Sequence, residues 1–122
     1  VILVDTSVWI DHLRAADSAL ARLLERAGVL AHPFVTGEIA LGRLRQRDAV
    51  LTALGDLPQC EVATETEVML FIERQALFGA GIGYVGAHLL AAVRLTPGAA
   101  LWTRDRELSA VATRLGLSSG LP

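Results

Sequence analysis

Val1-Ile2-Leu3-Val4 is a run of four apolar residues that stops at one carboxylate, Asp5. It passes through two hydroxyl residues, Thr6 and Ser7, into a segment of helical spacing. A short apolar run of this kind reads as a buried strand. In open α/β sheets ligands bind outside the carboxyl ends of the strands, so Asp5 stands where chemistry usually sits. The other acidic residues are then judged by whether the chain can bring them to the same edge.

The rest of the chain alternates between the two kinds of segment. Strand-like stretches end at Asp5, near Ala31, near Val62 and at Thr103. Asp17 caps a helix whose Leu20, Leu23, Leu24 and Ala27 fall on one stripe, with Gly28 as its stop. After a Pro33 to Thr36 loop, Ala40, Leu41 and Leu44 share one side of a helix that carries Glu38 in its first turn. Asp48 begins another helix with Val50, Leu51 and Leu54. Thr64 and Glu67 form a capping box ahead of Val68, Phe71 and Ile72, predicting a helix to about Phe78. Gly79-Ala80-Gly81-Ile82-Gly83 breaks the chain before the apolar run Ala87 to Val93, and Leu108, Val111, Ala112 and Leu115 mark a last helix. Such alternation predicts an α/β fold, a three-layer α/β/α sandwich with a mostly parallel central sheet, as a single domain over residues 1–122. Ser118 to Pro122 reads as a frayed end.

Composition narrows the chemistry. The 52% hydrophobic content suits strands covered on both faces. No apolar run approaches the roughly 20 residues of a membrane span, and no signal-peptide pattern is present, so a cytoplasmic location is expected. The single cysteine, Cys60, has no intramolecular partner, and no Cys/His cluster has zinc spacing. All eleven basic residues are arginine. Without lysine there is no P-loop, and a receiver-type phosphoacceptor site loses its active-site lysine. Arginine suits bidentate phosphate contacts, although an isoelectric point near 5.9 leaves no broad basic surface.

Three carboxylates are candidates for one site. Asp105 follows the apolar Ala100-Leu101-Trp102-Thr103, which puts it beyond a second strand end on the edge that bears Asp5. Glu38 lies among apolar and small residues. Grouped carboxylates repel one another, and a hard divalent cation such as Mg²⁺ or Mn²⁺ relieves that repulsion. Phosphodiester hydrolysis is the chemistry such a site serves, because the cation lowers the pKa of a bound water and offsets charge on the phosphate. Each residue also has an ordinary explanation. Asp5 and Asp105 suit helix caps, and Glu38 suits the positive end of a helix dipole.

Four stretches in order carry a resemblance: Asp5-Thr6-Ser7-Val8-Trp9, Thr36-Gly37-Glu38-Ile39-Ala40, Gly86-Ala87-His88-Leu89-Leu90-Ala91-Ala92 and Thr103-Arg104-Asp105-Arg106-Glu107-Leu108. Together they resemble the PIN-domain family, specifically the VapC-type ribonuclease toxins of bacterial toxin–antitoxin pairs. The resemblance implies a metal-dependent endoribonuclease acting on RNA and a homodimer, neutralised by a cognate VapB-type antitoxin whose tail covers the acidic pocket. It implies that Asp5, Glu38 and Asp105 are catalytic metal ligands, direct or through water, for Mg²⁺ or Mn²⁺. Thr6 and Thr103 are implied as hydroxyl neighbours that hold waters or ligands. The family usually has aspartate before Ala-His-Leu-Leu, where this chain has Gly86. Read as a helix cap, glycine costs the fold only a few tenths of a kcal/mol. The site loses a ligand, which predicts weak metal binding and impaired cleavage, or a catalytically inactive module that binds antitoxin or RNA without cutting.

Gly81-Ile82-Gly83-Tyr84-Val85-Gly86 also matches the dinucleotide fingerprint G-x-G-x-x-G. That motif needs a strand directly before it, and Val68 to Phe78 has helical periodicity instead. Glu38, Gly42 and Arg45 share one helical face, and Arg104 and Arg106 flank Asp105, so these arginines are candidates for phosphate contact, with solvated surface as their ordinary role. Trp9 and Trp102 read as core or interface residues. His12, His32 and His88 read as packing or surface residues.

Overall fold

The computed structural model describes residues 1–122. Strand β1 (Ile2–Val4) leads into α1 (Thr6–Arg14) and α2 (Ser18–Glu25), and β2 (Val29–Leu30) into α3 (Pro33–Ala40), α4 (Arg47–Asp56), α5 (Glu65–Arg74) and α6 (Tyr84–Leu95). Strand β3 (Ala100–Trp102) and α7 (Arg106–Arg114) complete the chain. The strands form a parallel sheet in the order β2-β1-β3, with Leu3 opposite both Leu30 and Leu101, and Val4 opposite Trp102. Successive strand residues point to opposite faces. Leu3 and Val4 are both fully buried, and so are Leu101 and Trp102. Both faces of the sheet are therefore covered, which makes the α/β/α sandwich. No helix is long and apolar enough to cross a membrane.

The strand order explains where a site forms. From β1 the chain crosses to β2 on one side, and it later returns to place β3 on the other. The carboxyl ends of β1 and β3 thus flank a topological switch point, where neighbouring connections diverge and leave a crevice. Asp5 leaves β1 with its amide bonded to the Trp102 carbonyl at 2.9 Å, so the residue after β1 lies beside the residue after β3.

Several expected boundaries move. The strand expected near Val62 is a single bridge between Ala31 and Gln59, with Val62 itself exposed. Pro58, which has no amide hydrogen, contributes its carbonyl to the Ala31 amide there. Helix α3 starts at Pro33, not after Thr36. Proline's fixed φ suits the first helical position, and His32 caps the helix by accepting the Phe34 amide at 3.0 Å. Glu38 consequently lies in the second turn, beyond reach of the dipole argument. Leu41 ends up 90% exposed, while Val35 and Ile39 face the core. Helix α2 is capped by Asp17 as expected, but Ala27, not Gly28, takes the left-handed conformation that ends it. The Thr64–Glu67 capping box is present in both directions, at 3.1 and 2.8 Å. Its helix ends at Arg74, four residues early, where Ala76 turns left-handed.

The carboxyl terminus is not frayed. Leu117 and Ser119 pair with Leu101 at 2.7 and 2.8 Å, and the Pro122 carbonyl accepts from the Trp102 indole. Both tryptophans are core residues, and Cys60 is a buried free thiol.

Candidate functional site

Asp5, Glu38, Gly86 and Asp105 line one cleft of about 260 Å³, together with Thr6, Ser7, Ile82, Gly83, Val85 and Leu108. Four separate elements deliver them: the end of β1, the second turn of α3, the first turn of α6 and the residue that starts α7. Positions 5, 38, 86 and 105, far apart in the chain, share a lining because the switch point draws these elements together.

Asp5 occupies the N-cap position of α1 but makes no side-chain cap bond. Its Oδ2 instead accepts from Thr103 Oγ1 at 2.7 Å and from Ser7 Oγ at 2.9 Å. The side chain is almost fully buried, as is Thr103. Burial of a carboxylate is costly unless hydroxyl or amide donors replace its water, and these two do so. The capping explanation for Asp5 therefore fails.

Asp105 does cap α7, through Oδ1 and the Leu108 amide at 3.0 Å, while its own amide donates to Thr103 Oγ1 at 3.1 Å. Thr103 thereby couples Asp5 to the backbone of Asp105. Glu38 is exposed and accepts from Thr6 Oγ1 at 2.7 Å. The two threonines, expected as neighbours for water or ligand, spend their hydroxyl protons orienting carboxylates. Each carboxylate engages one oxygen in this way and leaves the other, Asp5 Oδ1, Glu38 Oε2 and Asp105 Oδ2, without a protein donor.

Ser7 is a hydrogen-bonding neighbour of Asp5 that motif reading missed. Beyond Asp5 it accepts from the Arg104 amide at 3.0 Å and lies 3.4 Å from Thr103 Oγ1, so it ties the start of α1 to the loop after β3. The signal was present: a hydroxyl two residues after a strand-end carboxylate can fold back onto it.

The donor set suits a hard cation. Three one-oxygen carboxylates with adjacent hydroxyls match an ion that keeps much of its water and binds few protein groups. The carboxylates are not drawn into a tight three-ligand cluster. The residues thus fit an ion held partly through water rather than a closed cage.

Gly86 lies inside the first turn of α6, not at its cap. Gly83 is the N-cap, because the turn through Gly79 and Gly81, both at positive φ, starts the helix two residues earlier than Gly86. A side chain at position 86 would begin with a Cβ only 3.1 Å from Leu108 Cδ1 and 3.4 Å from Cδ2. A side chain there reaches the cleft only if the Leu108 methyls yield by a few tenths of an ångström. The segment before the three glycines is α5 and a turn, with no strand, which removes the dinucleotide reading.

The flanking arginine at 104 is already engaged. Its guanidinium bridges Asp11 and Asp17, each at 2.7 Å, and stacks over Trp102. Hydrogen bonding from Arg104 is the main reason the Asp17 carboxyl lies below its ordinary range. Arg45 does not share a helical face with Glu38, because α3 ends at Ala40. His32 and His88 are buried, with His32 Nε2 and His88 Nδ1 lacking partners. Burial, and secondarily His88, pulls the His32 pKa down to about 4.

A family profile described as PIN domain matches residues 2–114. The chain is 50% identical over 117 residues to Ribonuclease VapC32 of Mycobacterium tuberculosis strain CDC 1551 / Oshkosh, covering 96% of this chain and 94% of that protein. The protein of the same name from strain ATCC 25618 / H37Rv matches equally, at 50% over 117 residues.

Proposed function

Because this chain belongs to the PIN-domain family, we propose that it is the toxin of a toxin–antitoxin pair, an endoribonuclease that hydrolyses RNA phosphodiester bonds with Mg²⁺ or Mn²⁺. The observation that carries this reading is the cleft in which Asp5, Glu38 and Asp105 each keep one carboxylate oxygen free of protein donors. Asp5 is almost fully buried, so its donorless oxygen is costly unless something positive completes it, and the exposed Glu38 and Asp105 bring further negative charge to the same cleft.

Asp5, Glu38 and Asp105 would hold the ion, directly or through its waters. When bound, the ion supplies a water of lowered pKa and charge that offsets the developing charge on phosphate. The protein's part is orientation. Thr103 and Ser7 fix Asp5, Thr6 fixes Glu38, and the α7 amide fixes Asp105, so the free oxygens are presented without side-chain reorganisation. The reading extends to a single PIN-like domain over residues 1–122, acting in the cytoplasm as a homodimer. A VapB-type antitoxin would be its partner, with a segment covering the cleft.

Gly86 and Leu108 favour a second reading for this particular chain. With no carboxylate at 86 and leucine methyls against the backbone, the site holds its ion weakly, and the protein binds antitoxin or RNA with little or no cleavage. The two readings separate in one comparison. RNA cleavage in Mn²⁺ that Asp5→Asn abolishes supports the enzyme. Tight antitoxin binding with no cleavage above the Asp5→Asn background supports the inactive module.

A further inference from the structure

Eleven arginines raise the question of which are free to meet an anion. Arg104 is bound by Asp11 and Asp17. Arg47 donates to the Ala40 carbonyl, Arg114 to the Gln75 carbonyl, and Arg94 lies over Phe71. The other seven, Arg14, Arg22, Arg26, Arg43, Arg45, Arg74 and Arg106, have no such partner, and of these Arg14, Arg43 and Arg45 come together. They line one groove with Ile10, Leu13, Gly42 and Leu44, and no acidic residue is among its walls. Three exposed arginines with no acidic wall give the groove a local positive charge that suits an anion. In a chain of net charge −2, this concentration of positive charge runs against the average.

The groove and the acidic cleft share no wall residue, but both are built on α1 and the α3 stretch of the chain. Helices α1 and α3 pack together and are joined at the cleft by the Thr6–Glu38 bond at 2.7 Å. One turn further along α1 stands Ile10, and four residues beyond Glu38 stands Gly42; both are groove walls. One helical turn is about 5.4 Å, so the cleft and the groove are successive stations along the same pair of elements.

We propose that this groove is the track for the RNA strand flanking the cleaved bond, with Arg14, Arg43 and Arg45 contacting its phosphates. The proposal rests on the ribonuclease reading and adds a direction to it: the strand runs from the carboxylates along α1 and the end of α3, not over the engaged Arg104. Such cations offset the repulsion that an acidic cleft exerts on a polyanion. Their apolar neighbours Leu13 and Leu44 give the groove a floor against which bases and riboses can lie.

The test is fluorescence anisotropy of a fluorescein-labelled, mixed-sequence single-stranded RNA in chelator, so that no cleavage occurs, measured across a salt series. The intact chain, the triple variant R14A/R43A/R45A and the control R22A/R26A are compared. Each single-strand phosphate contact contributes about 0.7 to the log–log salt slope, so the triple variant should be shallower by about 2, with the control at the parental slope. Binding by the intact chain with an unchanged slope in the triple variant overturns the track and leaves the ribonuclease reading standing. An equal loss in the control overturns it as well, showing a diffuse field. A triple variant that keeps RNA binding but loses affinity for an acidic protein partner makes the groove a protein-docking surface and overturns the track. Failure of the intact chain to bind RNA overturns the track, while the ribonuclease reading stands or falls on cleavage in Mn²⁺.

Discussion

Replacing Gly86 with aspartate tests the site and its packing together. At position 86 the new Cβ starts 3.1 Å from Leu108 Cδ1, closer than ordinary contact, and Leu108 is 95% buried, so it has little room to yield. Overpacking of this kind costs about 1–3 kcal/mol. Two smaller effects oppose it. Aspartate is a few tenths of a kcal/mol better than glycine within a helix, and a carboxylate in the first turn gains about 0.3–1 kcal/mol from the dipole. The net expectation for Gly86→Asp in chelator is a loss of about 1 kcal/mol, a fall in Tm of roughly 3–5 °C for a chain of this size. Leu108→Val alone should cost about 1 kcal/mol through lost burial. The double variant should be more stable than the sum of the two singles predicts, by about 1 kcal/mol, because valine lacks the methyls that meet the new Cβ. Mn²⁺ should then raise Tm most in the double variant. Calorimetry should give it an affinity roughly tenfold or more above the parent, since added ligand charge strengthens hard-cation sites. Thermal melts with and without Mn²⁺, titration calorimetry and RNA cleavage read the four proteins out. Strict additivity, within about 0.5 kcal/mol, would refute Leu108 as the obstacle. Mn²⁺ affinity unchanged in both aspartate variants would refute position 86 as the lost ligand.

Thr103→Val keeps the shape of a buried side chain and removes a donor to Asp5; stability should fall by about 1–3 kcal/mol in urea unfolding, with a matching loss of Mn²⁺ affinity. Asp5→Asn should leave the circular dichroism spectrum unchanged while Mn²⁺ no longer shifts Tm. The low pKa of His32 gives a pH signature. Its folded pKa, about 4, lies below the ordinary 6.5, so the unfolded chain binds the extra proton between these values. Stability should therefore be full above pH 6.5 and decline as pH falls toward 4, by an amount on the order of 3 kcal/mol. His32→Asn, which keeps an acceptor for the Phe34 amide, should flatten that decline in urea melts at successive pH values; an unchanged slope would assign it to other groups.

Much of the fold was legible because local chemistry and tertiary structure agree there. The Thr64–Glu67 box and the Asp17 cap are satisfied within three residues of themselves, and the apolar runs at β1 and β3 announce burial through residue type alone. Elements failed where the deciding contact is distant. The stretch near Val62 has strand-like residues but only one bridge to pair with, and the last five residues look polar and loose yet are tied to Leu101 and Trp102.

By itself the sequence determined the α/β alternation, the strand-end position of Asp5 and Asp105, and the absence of a carboxylate at position 86. These depend on residue type, order and short-range periodicity, which no packing can alter. Only the tertiary structure decided that Asp5 is held by Thr103 and Ser7 rather than spent on a cap, that Arg104 is engaged while Arg14, Arg43 and Arg45 are free, and that Leu108 fills the place beside Gly86. Apart from the local Ser7–Asp5 bond, these depend on how elements far apart in the chain pack together. That packing follows from the parallel pairing of β1 beside β3 and the close packing around them, which spacing along the chain does not encode.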